Sequence, residues 1–379
     1  MVEFLNNWHS FSVFQGIYFV LVASLGIPTN LLSIFVLCFR PCGLSKSTVI
    51  YLVSLAVVDT LFLVLGGLVD VIESWLAPPP SIHTSSLCGS ITFNEYWTLF
   101  SSQWIVTAFM LERYLVLRNG TLRRRFSRPH VALSVVMSTV LVSQVISVPC
   151  YWLYESWPGS GAELGQVNNF TQQPTTYHCL FQITPSSKAM VWMHILASGC
   201  VPMGLTLSFS VLVSLHFRRK ARVFVESSSS AVFRLTQTRL RRSSRIQITV
   251  AVTTVCLSLP RYVAYGLLNA NRTMGLLERE DPQDALNITA NVGLMLQWLS
   301  LVIHFCLFCF VSSGFRRESL ALLRCQCCQG RGTSHGRDGL RLQEAPRPCR
   351  CNPSSFSEAQ APPLPQGTAC VVWHVVEAH

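Results

Sequence analysis

Residues 87–114, LCGSITFNEYWTLFSSQWIVTAFMLERY, form a nearly continuous apolar run with a cysteine near one end and an arginine near the other. Cys88 and Arg113 are 25 residues apart. At about 1.5 Å per residue, a helix separates them by about 37 Å, and the hydrocarbon core of a bilayer is about 30 Å thick. The run therefore predicts a membrane-spanning helix with Cys88 at one membrane face and Arg113 at the other.

The rest of the chain also has the composition of a membrane protein. Of its 379 residues, 50% are hydrophobic and 12% are charged, whereas about a quarter of the residues in soluble domains are charged. Apolar runs long enough to cross a bilayer predict seven helices. They lie at residues 13–39, 48–76, 89–117, 130–153, 189–216, 246–269 and 286–311. We expect an all-α membrane protein, a seven-transmembrane helix bundle, with residues 13–311 as its transmembrane domain.

The basic residues set the orientation of this bundle. With the N-terminus outside, 25 of the 29 Lys and Arg residues fall in cytosolic segments and three in outer segments. Cytosolic segments of membrane proteins carry such an excess. The net charge of +11 therefore reflects topology and membrane lipid, not nucleic acid. Residues 1–12 are the predicted extracellular N-terminus.

The predicted outer segments contain candidate modification sites. Asn169 and Asn271 stand in glycosylation sequons. Cys88 and Cys179 are the cysteines at outer, oxidising positions, so we expect them to form a disulfide. The alternative is two free thiols.

The segment after the seventh span is predicted to lie on the inner membrane surface. Residues 312–328 alternate basic and apolar residues at helical spacing, which indicates a short amphipathic eighth helix. They end in Cys325, Cys327 and Cys328, candidate palmitoylation sites; the alternative is metal ligation, although no histidine stands at a zinc spacing. Residues 329–379 are rich in Pro, Gly, Ser and Arg and predict a disordered cytosolic tail.

Residues inside the spans resemble the rhodopsin-like (class A) G-protein-coupled receptors. The matching residues are Asn30 in GIPTN, Asp59 in SLAVVD, Cys88, Glu112-Arg113-Tyr114, Cys179, Pro202 and Pro260. The resemblance implies a plasma-membrane receptor that passes an extracellular signal to a heterotrimeric G protein, with arrestin as a further partner. A transporter or channel is the alternative from another class, and the lack of inverted repeats disfavours it.

The expected switch residues lie at the inner end of span three and in spans five and six. Glu112 and Arg113, followed by Tyr114, can pair at rest and separate when the inner helix ends move apart. The alternative for Arg113 is an interfacial arginine that reaches the headgroups. Pro202 and Pro260 interrupt their helices and predict kinks.

Two motifs depart from the usual residues of the family. Span six reads Leu257-Ser258-Leu259-Pro260 where Cys-Trp-x-Pro is usual, so the aromatic switch is missing. Span seven reads His304-Phe305-Cys306-Leu307-Phe308 where Asn-Pro-x-x-Tyr is usual. His304 and Phe308 are therefore candidate switch residues, and a non-signalling or constitutively active receptor is a further alternative.

Asp59 and His304 are predicted to share a depth. Helical rise from the nearest basic residues puts both at about 18–20 Å from the cytosolic face. In the family, the matching aspartate holds a sodium ion with a serine of span three, here Ser102, and polar residues of span seven, here Ser300 and His304. A protonated imidazole could satisfy the carboxylate without sodium. We predict an Asp59–His304 pair; the alternative is a neutral histidine that only hydrogen-bonds.

Glu95 and Arg261 are the predicted ligand-binding charges. Both lie about 24–27 Å from the inner face by helical rise. They resemble residues of an orphan branch of the family that includes receptors responding to tryptophan and phenylalanine. This resemblance implies that Glu95 meets a ligand amine and Arg261 a carboxylate or other polar group. The expected apolar wall consists of Tyr96, Leu99, Phe100, Tyr262 and Trp298.

The predicted ligand is therefore an aromatic amino-acid-like molecule or a short peptide. The alternative is a Glu95–Arg261 salt bridge with no ligand role. No nucleophile–base or metal constellation emerges from the sequence, so we expect neither an enzyme nor a cofactor.

Overall fold

A computed structural model describes residues 2–68, 85–118, 126–158, 177–182, 184–223, 231–270 and 285–323. The predicted sites Asn169, Asn271, Cys325, Cys327 and Cys328 lie outside these residues, as does the predicted tail at 329–379. Over the part that is described, the chain is almost entirely helical.

Eight helices follow one another along the described chain. The first four are α1 (Val2–Phe39), α2 (Lys46–Phe62, continued by a π-helical stretch, Leu63–Leu68), α3 (Ser85–Arg118) and α4 (Pro129–Ser147, continued by a 3₁₀ turn, Val148–Trp152). α5 comprises Pro185–His194, a π-helical stretch at Ile195–Cys200, and Val201–Val223. The last three are α6 (Ala231–Ala270), α7 (Ala285–Val311) and α8 (Ser313–Leu323).

Six of these helices, within the described residues, have the length and apolar composition of membrane spans. They contain Val13–Phe39, Lys46–Gly67, Pro129–Trp152, Pro185–Phe217, Ser244–Ala270 and Ala285–Val311. α3 is the seventh helix of the bundle: it has 34 residues, or about 51 Å of helix, but it also carries several charges. It packs against α2, α4, α5 and α6, and its charges within the bundle, Glu95, Glu112 and Arg113, contact side chains of other helices rather than lipid.

The bounds of the helices differ from those of the predicted spans most clearly in α1, α2 and α6. α1 begins at Val2 rather than at 13, and α6 begins at Ala231, well before the predicted 246. The predicted second span reached residue 76, but its described part ends at Leu68. Apolar runs mark the hydrocarbon core, whereas hydrogen-bonded helix can continue beyond it, and this explains the longer helices.

An antiparallel hairpin at the Cys88 end of the bundle, which was predicted to be the outer end, is a feature that the all-α prediction missed. β1 (Tyr154–Pro158) pairs with β2 (Tyr177–Phe181), and Ser156 stands opposite Cys179. Cys179 forms a disulfide with Cys88 at the start of α3, with a Cα–Cα distance of 5.7 Å. The disulfide therefore fastens the hairpin to the outer end of the central helix.

The largest group of buried apolar side chains lies toward the end of the bundle that contains Arg113. Side chains such as Tyr51, Phe109, Val250 and Phe308 form one large apolar cluster. α8 joins this cluster through Phe315, which is fully buried and packs against Phe308 with ring centroids 5.6 Å apart. Many large apolar side chains on the outer faces of the helices remain exposed, as expected where lipid is the solvent.

Candidate functional site

Arg261 is the centre of a polar cluster in the outer half of the bundle. Its Nη2 atom lies 2.5 Å from Glu95 Oε1 on α3, and its Nη1 donates to Gln297 Oε1 on α7 at 3.1 Å. The guanidinium carbon lies 5.1 Å from the centroid of the Tyr265 ring, within the range of a cation–π contact. One arginine therefore ties α6 to both α3 and α7.

Glu95 is the more exposed member of the ion pair with Arg261. Its side chain is 27% exposed, against 8% for Arg261, and Gln297 is fully buried. A buried guanidinium without a counter-ion is strongly unfavourable, so Glu95 and Gln297 allow Arg261 to lie at this depth. The arrangement can present a carboxylate to a ligand from a fixed position.

Close helix packing holds Arg261 in place. A Cβ atom added at Gly293 of α7 would lie 2.8 Å from the backbone N and Cα atoms of Arg261. Only glycine permits this approach of α7 to α6 at the position directly after Pro260. The glycine explains how Gln297, one helical turn further on, comes within reach of the guanidinium.

Two of the predicted wall residues, Tyr96 and Tyr262, lie in one cluster beside Arg261. The Tyr96 ring is 4.3 Å from the His194 ring of α5, centroid to centroid. The Tyr262 hydroxyl lies 3.1 Å from Ser198 Oγ. His194 and Ser198 therefore belong to this wall, although neither was predicted from the sequence.

Leu99 and Trp298 lie in a different cluster, which packs toward α1 and α2. The Trp298 ring is 4.4 Å from Phe19 and 5.4 Å from Phe62, centroid to centroid. Phe100 is buried and stacks on Trp104 of its own helix at 6.1 Å. Four of the five predicted wall residues thus lie in two separate clusters, and Phe100 belongs to neither, so they do not form one continuous surface.

Asp59 is the centre of a second polar cluster, in the middle of the bundle. His304 Nδ1 lies 2.8 Å from Asp59 Oδ2, and Ser102 donates to Asp59 Oδ1 at 3.1 Å. His304 Nε2 lies 3.2 Å from Thr254 Oγ1 on α6. Asp59, Ser102 and His304 are all buried, so the cluster links α2, α3, α6 and α7 out of reach of solvent.

This donor set does not fit the sodium ion that the family resemblance implies. The His304 ring stands against one Asp59 oxygen, with Nδ1 at 2.8 Å, and Ser102 donates to the other at 3.1 Å, so the imidazole takes up space beside the carboxylate that a coordinated cation would need. The expected third partner is also missing, because Ser300 donates to the Gln297 carbonyl of its own helix at 2.7 Å. Asn30 likewise points elsewhere and donates to the Leu301 carbonyl at 3.1 Å.

Two further polar contacts between helices were not foreseen. Gln103 on α3 donates to Ser258 on α6 at 3.2 Å, and both residues are buried. The Thr107 hydroxyl lies 2.9 Å from Thr206 Oγ1 and also donates to the Pro202 carbonyl at 3.2 Å. Hydrogen bonds therefore connect α3 to α6 and to α5 at the level where the family's usual aromatic switch residue is absent.

Arg113 forms a third cluster, at the inner ends of α2 and α3. Its Nη2 atom donates to Thr48 Oγ1 at 2.7 Å and to Ser45 Oγ at 3.3 Å, and lies 3.3 Å from Glu112 Oε2. Ser47 donates to the other oxygen of Glu112 at 2.6 Å. The first turn of α2 therefore holds the Glu112–Arg113 pair, and both charged side chains are buried.

The remaining predicted switch residues lie around these clusters. Tyr114 stacks on Phe209 of α5, with ring centroids 5.8 Å apart. Phe308 stacks on His304 with ring centroids 6.3 Å apart. Within the described residues, no group of three or more His, Cys, Asp and Glu side chains is arranged to hold a metal ion.

Comparison with known proteins agrees with this geometry. The family described as "7 transmembrane receptor (rhodopsin family)" matches residues 29–314. The somatostatin receptor type 4 of Rattus norvegicus is 25% identical over 315 residues, which cover 83% of this chain and 73% of that receptor.

Two shorter matches are to other hormone receptors. The thyrotropin-releasing hormone receptor of Gallus gallus is 35% identical over 98 residues, 26% of this chain and 24% of that receptor. Melanin-concentrating hormone receptor 1 of Sus scrofa is 30% identical over 105 residues, 28% of this chain and 29% of that receptor.

Proposed function

Because the chain belongs to the rhodopsin family of seven-transmembrane receptors, we propose that Glu95 and Arg261 bind its extracellular ligand. Members of this family are not enzymes; they lie in the plasma membrane and signal to heterotrimeric G proteins. The single observation that carries the proposal is the partly buried contact of 2.5 Å between opposite charges on α3 and α6, in which Glu95 remains partly exposed.

The chemistry of this cluster favours a ligand with a positively charged group and an aromatic group. A carboxylate held in a partly desolvated site binds an ammonium through a charge-assisted hydrogen bond. Tyr96 and Tyr262 offer aromatic surface beside it. An aromatic amino acid, or a short peptide with such a residue, carries both groups. The relatives named for somatostatin and thyrotropin-releasing hormone add weight to the peptide form of this proposal.

The proposed orientation places the N-terminus outside the cell. The excess of Lys and Arg between predicted spans one and two, three and four, and five and six, and after span seven, supports it. Glycosylation at Asn169 and Asn271, palmitoylation of Cys325, Cys327 and Cys328, and binding of arrestin belong to the same proposal.

The experiment is a ligand screen followed by substitution of the two charges. Cells that express the chain are exposed to amino acids and to short amidated peptides, with calcium and cyclic nucleotide as readouts. For each active compound, Glu95→Gln and Arg261→Ala are compared at matched surface expression. Hydrogen bonds to charged groups contribute about 1.5–3 kcal/mol, so potency should fall by about tenfold or more in Glu95→Gln.

Glu155→Gln is the matched control for this experiment. Glu155 is also a carboxylate on the outer side, but it accepts from Gln182 at 2.8 Å and not from an arginine. Its substitution should leave potency unchanged. Unchanged potency in both Glu95→Gln and Arg261→Ala would contradict the assignment of the site.

A further inference from the structure

The guanidinium of Arg261 is already bound by the protein, although the family resemblance implied that it meets a carboxylate of the ligand. Its Nη2 atom lies 2.5 Å from Glu95 Oε1, and its Nη1 donates to Gln297 Oε1 at 3.1 Å. The Tyr265 ring lies against it, 5.1 Å from the guanidinium carbon, and the side chain is only 8% exposed. Arg261 therefore serves as the counter-ion of Glu95 and offers little surface to a ligand.

Glu95 is the charged group of the pair that a ligand can reach more easily. Its side chain is 27% exposed, more than three times the fraction for Arg261. A ligand carboxylate in contact with Arg261 Nη2 would lie beside the Glu95 carboxylate, and two like charges in one site repel each other. A ligand ammonium meets attraction instead, because a carboxylate accepts about four hydrogen bonds. The geometry therefore favours cations over anions.

A second cation for a ligand carboxylate lies far from this pair. Among the described residues, Lys188 is the one other Lys or Arg in the outer half of the bundle, and its carbonyl accepts from Asn269 Nδ2 at 2.9 Å. Asn269 lies eight residues after Arg261, or about 12 Å along α6. A carboxylate placed next to an amine at Glu95 would lose its water without gaining a charged partner, which is costly.

The polar groups on the wall beside Arg261 are neutral. The Tyr262 hydroxyl lies 3.1 Å from Ser198 Oγ, and Ser198 Oγ lies 3.0 Å from His194 Nε2. Protonation of His194 would place a second positive charge near the guanidinium, which is unfavourable. This wall therefore suits the amide, hydroxyl and aromatic groups of a ligand and offers no charge to a carboxylate.

We propose that the ligand of this receptor carries a positive charge with no carboxylate beside it, as in an amine, an amino-acid amide or the N-terminal residue of a peptide. A free zwitterionic amino acid is disfavoured. The inference deepens the proposed function and rests on it, because it takes Glu95 as the group that binds the ligand. Glu95 then has two roles: it binds the ammonium, and by holding Arg261 it removes the nearby partner of a carboxylate.

Four derivatives of one aromatic amino acid test this selectivity. L-Phenylalaninamide is a cation, L-phenylalanine a zwitterion, N-acetyl-L-phenylalanine an anion and N-acetyl-L-phenylalaninamide neutral. Dissociation constants are obtained from the rise in melting temperature of the full-length receptor in phosphatidylcholine nanodiscs with compound concentration. The buffer is at about pH 6.5, where α-amino groups are protonated. We expect phenylalaninamide to bind about tenfold more tightly than phenylalanine, and the anion to bind most weakly.

Glu95→Gln should reverse this order, because it releases Arg261 from its counter-ion. Phenylalaninamide should bind about tenfold more weakly than to the unaltered receptor, and N-acetyl-phenylalanine about tenfold more tightly. Glu155→Gln is the matched control, since Glu155 accepts from Gln182 and not from an arginine, and it should leave the order unchanged. The order on the unaltered receptor needs no variant, so it tests the proposal even where Glu95→Gln does not fold.

Three results would overturn the proposal, and they distinguish it from the proposed ligand site. Phenylalanine that binds as tightly as phenylalaninamide, with both weakened in Glu95→Gln, would overturn the selectivity and leave the site intact. Affinities that change in neither Glu95→Gln nor Arg261→Ala would overturn the site itself. Absence of binding by all four compounds at about 10 mM would overturn the ligand class, because compounds of this size reach millimolar affinity in a matching site.

Discussion

His304 Nδ1 lies 2.8 Å from Asp59 Oδ2 in the middle of the bundle, and both side chains are almost fully removed from solvent. This contact joins α2 to α7 at the place where the family resemblance implied a sodium ion. With Ser102 on the other carboxylate oxygen, Asp59 is satisfied by the protein itself.

Sodium is therefore not expected to stabilise this receptor. The melting temperature of the purified receptor should be the same in sodium chloride and in choline chloride at equal ionic strength. His304→Asn removes the ring nitrogen from Asp59 and should make the melting temperature rise with sodium. A sodium-specific rise in the unaltered receptor would contradict the Asp59–His304 pair as a replacement for the ion.

His304→Ala should destabilise the receptor strongly. Removing one partner of a buried ionic or hydrogen-bonded pair costs about 3–5 kcal/mol, because the other group stays buried without compensation. Ser300→Ala is the control, since its hydroxyl bonds only to a carbonyl of its own helix. Thermal unfolding in detergent measures both, and equal melting temperatures for the two variants would argue against a structural role of the pair.

Gly293→Ala should disturb the ligand site without changing any of its side chains. The added methyl group would lie 2.8 Å from the backbone of Arg261, so α6 and α7 must separate. Overpacking of this kind costs about 1–3 kcal/mol. Gly204→Ala is the control, because nothing lies within 4 Å of its added Cβ. A melting temperature of Gly293→Ala at or above that of Gly204→Ala would contradict the close packing.

Thr48→Ala should raise G-protein signalling in the absence of ligand. Thr48 holds Arg113 through the 2.7 Å contact with Nη2, and the loss of a hydrogen bond to a charged group shifts a two-state equilibrium by about tenfold. Nucleotide exchange on purified G protein measures the basal activity. Ser208→Ala, which removes an exposed hydroxyl bonded within α5, should leave it unchanged; an unaltered basal rate in Thr48→Ala would show that α2 does not restrain Arg113.

The sequence was sufficient to predict the helices and the depths of the charged residues. Helical rise placed Glu95 level with Arg261 and Asp59 level with His304, because a straight helix has a fixed rise per residue. The family matches supplied the arrangement of helices around α3. No sequence pattern predicted the hairpin, which depends on strand pairing and on the disulfide at Cys179. The π-helical stretches depend on local backbone hydrogen bonding, which also leaves no periodic signal in the sequence.

The partners of the charged residues were harder to predict than their depths. Gln297 lies seven residues before His304 on the same face of α7, so the periodicity could have identified it as an inward-facing amide. Its contact with Arg261 also requires the close approach of α6 and α7 at Gly293, and the sequence does not specify distances between helices. The same limit explains why Trp298 was placed in the ligand wall although it packs toward Phe19.

The most direct test of the ligand site exchanges its two charges. Glu95→Arg combined with Arg261→Glu retains an opposite-charge pair between α3 and α6. The carboxylate that would bind the ligand's positive group then lies on α6, and the guanidinium lies on α3. Agonist potency is measured by calcium release for compounds found in the screen, at matched surface expression and with the single variants alongside. If Glu95 and Arg261 bind the ligand, the exchange restores surface expression relative to the single variants, and potency remains at least about tenfold lower than in the unaltered receptor. Full recovery of potency in the exchanged receptor would contradict this account and show that the pair is a salt bridge without a role in ligand binding.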